Sequence, residues 1–448
     1  MKRHSRASGW QRKARKPLMG VATVAALYGL HRRVFGIKQR PSWPPGADAV
    51  TSEGAEAATQ KLAARGGTRP HYAALDFAWS TAATIEPWVE GVNFFPRIFA
   101  DVEAARSSVH ILMFGWKDGE MGGQITSLLE RKLSEGIEVR VIVDAIGSRP
   151  YGASRAMFTR LAAAGAQIVV NDMLPPDRDG LFPDEQRIDW RMDEIGRADH
   201  RKLYVIDGAI TWTGGAGIED HFQNGEFHDV MVRVTGNVVR QAQAAFLTSF
   251  RGHDGPLPAD LSGLFPEPAN AGSTPVALAQ VIPGGFVAAS QAIRHQIGEA
   301  HERLDVMNPY FTDPDTIELI LAAARRGVKV RVVVSEKSNN SQASAALKHR
   351  YADFVAAGVE VWELPNTVVH AKVVVADDVA SFGTVNLDAW ALYRNSEIMM
   401  MARSAELAAL LVERLFEPDI TASKRGEVPA GTRARLASWL GNKLAFYL

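Results

Sequence analysis

Two copies of one pattern constrain this chain more than any other feature. HRKLYVIDG occupies 200–208 and HAKVVVADD occupies 370–378, and both read His, any residue, Lys, four residues, Asp. The likeness extends well beyond the motif. GIEVRVIVD at 136–144 matches GVKVRVVVS at 327–335, and LAAAGAQIVV at 161–170 matches FVAAGVEVWE at 354–363. A repeat of this length marks a duplicated folding unit. A duplicated fold that carries a His–Lys pair in each copy implies two pairs brought to one site.

The spacing of apolar residues predicts the same element order in each half. In the first, Phe95–Ala105 reads as helix, Val109–Phe114 as buried strand, Gly122–Gly136 as helix and Val139–Val143 as strand. In the second, Ser290–Arg303 reads as helix, Leu304–Phe311 as strand and Thr316–Arg326 as helix. Helices alternating with short apolar strands predict an α/β chain of two similar lobes. Each lobe has a mainly parallel or mixed sheet flanked by helices. We expect a basic N-terminal segment over 1–47 and a lead-in over 48–90. The lobes fall at 91–251 and 286–425, with a Pro/Gly-rich linker at 252–285 and an amphipathic tail at 426–448.

Composition narrows the chemistry. The 448 residues include no cysteine, which excludes disulfides, thiolate nucleophiles and Cys-ligated zinc. Lys+Arg and Asp+Glu are equal at 50 each, so the chain lacks the basic surplus of a dedicated nucleic-acid binder, and no nucleic-acid partner is expected. The N-terminus departs from this balance: no acidic residue precedes Asp48. Basic residues such as Lys2, Arg3, Arg32 and Arg33 flank an apolar run from Leu18 to Leu30. That run is shorter than the roughly 20 residues of a membrane-spanning helix. It reads as a membrane-surface anchor with basic side chains facing anionic lipid. Leu436, Trp439, Leu440, Leu444 and Tyr447 repeat this theme at helical spacing near the C-terminus. Their alternative role is packing on their own domain.

The motifs supply the candidate catalytic set: His200, Lys202 and Asp207, with His370, Lys372 and Asp377. Strand side chains alternate faces, so each His and Lys, two apart, share a face. Each Asp lies an odd number of residues away, and its role is read as structural, at the strand end. Two imidazoles and two ammoniums suit phosphodiester chemistry. One neutral imidazole attacks phosphorus, the other, protonated, serves the leaving alkoxide, and the lysines hold phosphoryl oxygens. No metal or other cofactor is needed to neutralise charge.

A nucleophilic imidazole needs a partner on its other nitrogen. Asp229 follows His200 by 29 residues and Glu397 follows His370 by 27, each opening an apolar run, so these two are the candidate His-orienting acids. The turns TGGAGIED at 213–220 and GTVNLD at 383–388 supply Gly214, Gly215, Thr384 and Asn386 as candidate phosphate contacts. His221, His228 and His253 have no counterpart in the other half and read as structural. The acidic stretch Leu174–Asp199 precedes only the first motif, and we expect it to act as a lid, the alternative being a merely solvated insertion.

These residues closely resemble the phospholipase D superfamily over about 90–425. FHDVMVRVTGNVV at 227–239, NPYFTDPDTIELILAAARRGVKVRVVV at 308–334 and GTVNLDAWALYRNSEI at 383–398 are similar to its bacterial cardiolipin synthase branch. The resemblance implies an active site at the lobe interface, a phosphohistidine on His200, and His370 as leaving-group acid and then base. It also implies a phospholipid substrate and a membrane surface as partner. Two departures stand out: the family commonly has Asn at the position of Gly217 and often Ser where Thr384 stands. Typical members of that branch carry two full membrane spans before the catalytic region. The leading expectation is a phosphatidyltransferase using phosphatidylglycerol. Hydrolysis to phosphatidic acid, nuclease activity and a non-catalytic membrane-binding role are the alternatives.

Overall fold

The computed structural model describes residues 78–150, 152–171, 198–283 and 287–430. The apolar run at 18–30, nearly all of the stretch at 174–199 and the apolar stripe at 436–448 lie outside these residues. Among the described residues, no helix is long and apolar enough to cross a membrane.

The duplication is visible in the two large sheets. One has seven strands, in the order Thr84–Val89, Val230–Thr235, Ile210–Gly214, Lys202–Ile206, Ser108–Met113, Glu138–Asp144 and Gln167–Asn171. The other has nine, and its inner seven repeat that order: Thr274–Val281, Glu397–Arg403, Val379–Gly383, Val373–Ala376, Arg303–Met307, Lys329–Ser335 and Glu360–Leu364. Ala78–Ala82 and Lys424–Arg425 form its two edges. Both sheets are mixed. Ser108–Met113, Glu138–Asp144 and Gln167–Asn171 pair in parallel, and the remaining neighbours in that sheet pair antiparallel. The chain crosses between lobes near its described start, since Ala78–Ala82 joins the second sheet and Thr84–Val89 the first. The stretch read as a linker, 252–285, likewise supplies the strand Thr274–Val281.

Local chemistry explains the helices and strand ends. The helix Pro314–Arg325 starts where Asp313 accepts a hydrogen bond from Thr316 N at 2.8 Å, with Pro314 in the first turn. Gly327, at φ +97°, turns the chain away after it. The strand Arg303–Met307 stops short of the predicted Phe311. There Asn308 turns its side chain to Val385 O and Leu387 N, each at 3.1 Å, and Pro309 removes a donor. Strands such as Ser108–Met113 are buried on both faces, which accounts for their continuous apolar reading.

One hydrophobic core is shared by both sheets. It joins Leu112, Leu203 and Val232 of the first to Val276, Val375 and Met400 of the second. The helix Val239–Gly252 contributes Ala242, Phe246 and Phe250 to it. Buried from Val239 to Phe250, this helix must satisfy its polar side chains internally. Gln243 bonds His110 at 3.0 Å, and Arg240 donates to Phe265 O at 3.0 Å. Each sheet packs its outer face against its own helices in a separate core.

Candidate active site

The strands Lys202–Ile206 and Val373–Ala376 each begin beside a motif histidine. The lobes meet at those beginnings, and the contact is reciprocal. His200 N donates to Ser396 O at 2.9 Å, and Ser396 N donates to Ala198 O at 2.8 Å. On the other side His370 N donates to His228 O at 2.7 Å, and Phe227–His228 pairs in parallel with Val368–Val369. Each motif histidine is therefore seated by the segment that carries the other half's acid.

The side chains follow the same exchange. His200 Nδ1–H donates to Glu397 at 2.9 and 3.0 Å, and His370 Nδ1–H donates to Asp229 Oδ2 at 2.8 Å. The similar sequence offsets of the acids, 29 and 27 residues, conceal this, because each acid serves the histidine of the opposite half. Both carboxylates are fully buried at 0% exposure, so the bonds face no competition from water. With Nδ1 engaged, Nε2 of each ring is the nitrogen left for chemistry.

Thr384 and Gly215 occupy matching positions behind these acids. Thr384 Oγ1 donates to Glu397 Oε2 at 2.5 Å and accepts from Ile398 N at 3.0 Å. A Cβ on Gly215 would lie 2.5 Å from both Asp229 oxygens and 2.7 Å from His370 O. The Gly215 amide reaches Val230 O at 3.4 Å, and the Thr384 amide reaches Ile398 O at 2.9 Å. Gly214 pairs with Met231 within the sheet. The expected phosphate contacts from Gly214, Gly215 and Thr384 are thus corrected. These residues back the acids and pack the sheet, and their donors are already used. Asn386 differs: it is buried, and its Oδ1 has no hydrogen-bond partner.

The lysines sit beside their own histidines. Lys202 Nζ donates to His200 O at 2.7 Å, and Lys372 Nζ donates to His370 O at 2.5 Å and lies 2.9 Å from His370 Nδ1. Burial lowers Lys202 to about 8 and Lys372 to about 7, while the charges of Asp229 and Glu397 resist the fall. Burial pushes Glu397 up to about 8 and Asp229 also upward, and both lysines pull them back. Burial, then Lys202 and Lys372, holds His200 well below the usual imidazole range. Burial and the same two lysines do the same to His370. Each histidine thus feels the ammoniums of both halves, which places both His–Lys pairs at one site. Burial thus draws the lysines and the carboxyls toward their neutral forms while their mutual attraction resists it, and both imidazoles in this buried hub are held neutral.

Asp207 and Asp377 lie outside this hub, a correction to their membership of the candidate catalytic set. Both sit in hairpin turns at φ +53°. Asp207 accepts from the amides of Arg106, Ser107 and Ser108 at 2.8–3.0 Å. Asp377 accepts from His301, Glu302 and Arg303 at 2.8–2.9 Å. Burial opposes ionisation at both, but the backbone bonds outweigh it and hold both carboxyls below the usual range.

Sequence reasoning missed the aromatic walls. Phe114 meets His200 edge-on at 4.7 Å and lies 4.9 Å beneath Lys202 Nζ. Phe222 and Phe227 stand 5.3 and 5.5 Å from His370. All three come from the first half, so the repeat offered no signal for them. It also missed a clamp behind Asp229. His228 bonds Glu90 through Nδ1 and Asp419 through Nε2, the latter at 2.8 Å. Burial opposes charge on His228, but Asp419 and Glu90 raise it to about 10, so it ties both ends of the described chain as an imidazolium.

Comparison with known proteins agrees with this architecture. Residues 293–419 match the family described as cardiolipin synthase, PLD-like domain. The probable cardiolipin synthase YwiE of Bacillus subtilis (strain 168) is 28% identical over 364 residues, covering 77% of this chain and 68% of that protein. The major cardiolipin synthase ClsA of the same organism is 25% identical over 355 residues, covering 76% and 70%. The crystal structure of phosphatidylserine synthase from Haemophilus influenzae Rd KW20 superposes with a TM-score of 0.60. Its identity is 15%, over 87% of this chain and 97% of that one, a likeness of fold. The chain resembles the phospholipase D superfamily and is an enzyme of phosphatidyltransferase or phosphodiesterase type. Within the superfamily it resembles the bacterial cardiolipin synthase branch.

Proposed function

We propose that this protein is a membrane-associated phosphatidyltransferase of cardiolipin synthase type, acting on phosphatidylglycerol through a phosphohistidine at His200. The observation that carries the reading is the crossed pairing of His200 with Glu397 and His370 with Asp229. It turns Nε2 of each ring away from its acid, with Lys372 Nζ 3.2 Å from that of His370, and it brings both lysines to one buried site where the lobes meet. The relatives named above supply the lipid class.

In the first step His200 Nε2 attacks phosphorus as the bond from phosphorus to the glycerol oxygen breaks. His370 gives that oxygen its proton, and free glycerol leaves. The negative phosphodiester, seated between Lys202 and Lys372, offsets the ammonium repulsion that keeps His370 neutral, so protonation of His370 is coupled to substrate binding. In the second step a hydroxyl of another phosphatidylglycerol gives its proton to His370. Its oxygen bonds phosphorus, and the P–N bond breaks with its electron pair returning to His200. Glu397 holds the tautomer that attacks and steadies the charge that develops on the ring.

The test is incubation of the purified full chain with vesicles of labelled phosphatidylglycerol. Cardiolipin with stoichiometric glycerol is the expected product. Phosphatidic acid alone would move the assignment to hydrolysis, where water is the acceptor. Turnover of a nucleic-acid diester without lipid turnover would overturn both lipid readings.

A further inference from the structure

The turn after each motif is built on one plan but filled differently. Trp116 bridges Ile218 in the first half as Phe311 bridges Leu387 in the second. That register sets Gly115 opposite Tyr310 in the repeat, Gly217 opposite Asn386, and Glu219 opposite Asp388. The second half thus places two polar side chains where the first has two glycines. In the first half, Glu219 fills the space. Its Oε2 lies 2.5 Å from where a Cβ on Gly115 would be, and 2.8 Å from one on Gly217.

Glu219 and Asp388 also point to different partners. Asp388 turns back to cap its own short helix, accepting from Trp390 N and Ala391 N at 2.9 Å each. Glu219 makes no such cap. Its carboxylate takes Lys117 Nζ at 2.5 Å and faces His221 Nε2 at 3.8 Å. Side-chain exposure rises from 12% at Glu219 to 26% at His221 and 50% at Lys117, a path from the interior to solvent. Its inner end adjoins the reacting groups. Gly115 follows Phe114, which touches His200, and the His221 ring lies tilted with its centroid 4.2 Å from that of Phe227, which flanks His370. Lys202 feels the Glu219 charge.

We propose that Glu219, with Lys117 and His221, forms a polyol subsite on the first-lobe side of the pocket. Glu219 there selects an alcohol acceptor that carries a second hydroxyl. The inference rests on the phosphatidyltransfer reading and names what discriminates the acceptor. An amide such as Asn386 can donate to a phosphoryl oxygen, whereas a carboxylate repels phosphate and accepts from hydroxyl. The halves therefore divide the work: the second faces the phosphodiester and the first faces the hydroxyls. The acceptor's neighbouring hydroxyl donates to Glu219 Oε2, which holds the attacking hydroxyl toward His370. That hydroxyl loses its proton to His370 while its oxygen replaces His200 Nε2 on phosphorus.

The experiment presents phosphatidylglycerol vesicles with labelled glycerol and ethanol at equal concentration. It reads the ratio of labelled phosphatidylglycerol to phosphatidylethanol. For the full chain the ratio is expected to favour glycerol, and Glu219→Ala should lower it by about tenfold or more, the effect of one charge-assisted hydrogen bond. Glu219→Gln keeps an acceptor oxygen and should fall between. Should neither variant fold, Lys117→Ala at the half-exposed end should shift the ratio the same way by severalfold. An unchanged ratio, or an equal fall in both products, would overturn the subsite while leaving phosphatidyltransfer standing. Cardiolipin formed without either alcohol product would overturn the subsite alone, whereas no cardiolipin and neither alcohol product from the unaltered chain would overturn phosphatidyltransfer, and the subsite with it.

Discussion

The two lobes share a strand order but not a lining. The second lobe places Thr384, Asn386 and Tyr310 where the first has Gly215, Gly217 and Gly115, while the first supplies every aromatic ring described against the histidines. The acids differ too. Glu397 is gripped by the Thr384 hydroxyl, whereas Asp229 is held by Val230 N at 2.7 Å with no side chain behind it at Gly215. Duplication explains why each half brings one histidine, one lysine and one carboxyl to the hub. The unequal linings explain how two equivalent His–Lys pairs can take unequal roles. Crossed pairing ties the halves together, because neither lobe alone contains a complete histidine–acid pair.

The sharpest way to break the comparison is to remove each histidine separately. His200→Ala should abolish covalent labelling from phosphatidylglycerol and lower transfer by about 10⁴-fold or more. His370→Ala should lower transfer by roughly 10²- to 10⁴-fold, the usual worth of a general acid or base. It should still permit labelling from a donor whose leaving group needs no proton. Mass spectrometry of the trapped protein decides between the sites, and a label that survives in His200→Ala but vanishes in His370→Ala would reverse the roles.

The acids test the crossing itself. Glu397→Gln leaves the shape but replaces the carboxyl that accepts from His200 Nδ1 and can take up the ring's developing charge, so labelling should slow by roughly 10²- to 10⁴-fold. Asp229→Asn should slow leaving-group departure and release instead, and should spare labelling from the activated donor. Pairing within each half would give the opposite assignment in single-turnover kinetics.

The lysines set a smaller effect with a defined sign. Burial lowers Lys372 to about 7 and Lys202 to about 8. Affinity for inorganic phosphate should weaken by up to about tenfold per pH unit above that range as an ammonium is lost. Calorimetry in buffers of different ionisation enthalpy should show proton uptake on binding. Stability moves the other way. The folded values lie below the unfolded 10.5, so the unfolded chain binds more protons between about 7 and 10.5, and these groups add stability as pH rises through that window. Lys372→Met should remove the lower step and Lys202→Met the upper, which would separate the two halves.

Much of this was legible in the chain and some was not, for physical reasons. The repeat exposed the lobes because strands buried on both faces keep apolar runs whatever their connections. Strand parity separated His200 and Lys202 from Asp207 because the period of two is local. The crossing of Glu397 and Asp229 was hidden because similar offsets fit either partner, and only packing of the lobes chooses. The strand Thr274–Val281 was hidden among prolines that lie mostly before it, with Pro275 pairing close to the strand's start. The helix Val239–Gly252 keeps its apolar residues at helical spacing, but Gln241, Gln243 and Ser249 are buried among them, and no residue type by itself announces such all-round burial. Thr384 and the glycines read as phosphate contacts because their chemistry permits it, yet their donors face the acids and the sheet.

The motif aspartates offer the smallest effect, and one in which the lobes should agree. Asp207 and Asp377 share φ +53°, and each accepts three backbone amides at the mouth of the preceding strand. Alanine at either place leaves those amides without their acceptor and puts a residue poorly suited to the left-handed region in the turn. Solvent reaches both turns, so part of the loss is recovered by water. A fall of about 1–3 kcal/mol in unfolding free energy is expected for each, with kcat per folded molecule within severalfold of the parent. Both native carboxyls are held below the usual aspartate value of 3.8, so their stabilisation is present above that value and disappears as pH falls through the lower folded values. The difference between parent and variant should therefore be largest near neutral pH and shrink in acid, by the same pattern for both positions. A loss of activity far beyond the loss of folded protein at one position only would show that the halves diverge even here, and would return that aspartate to the chemistry.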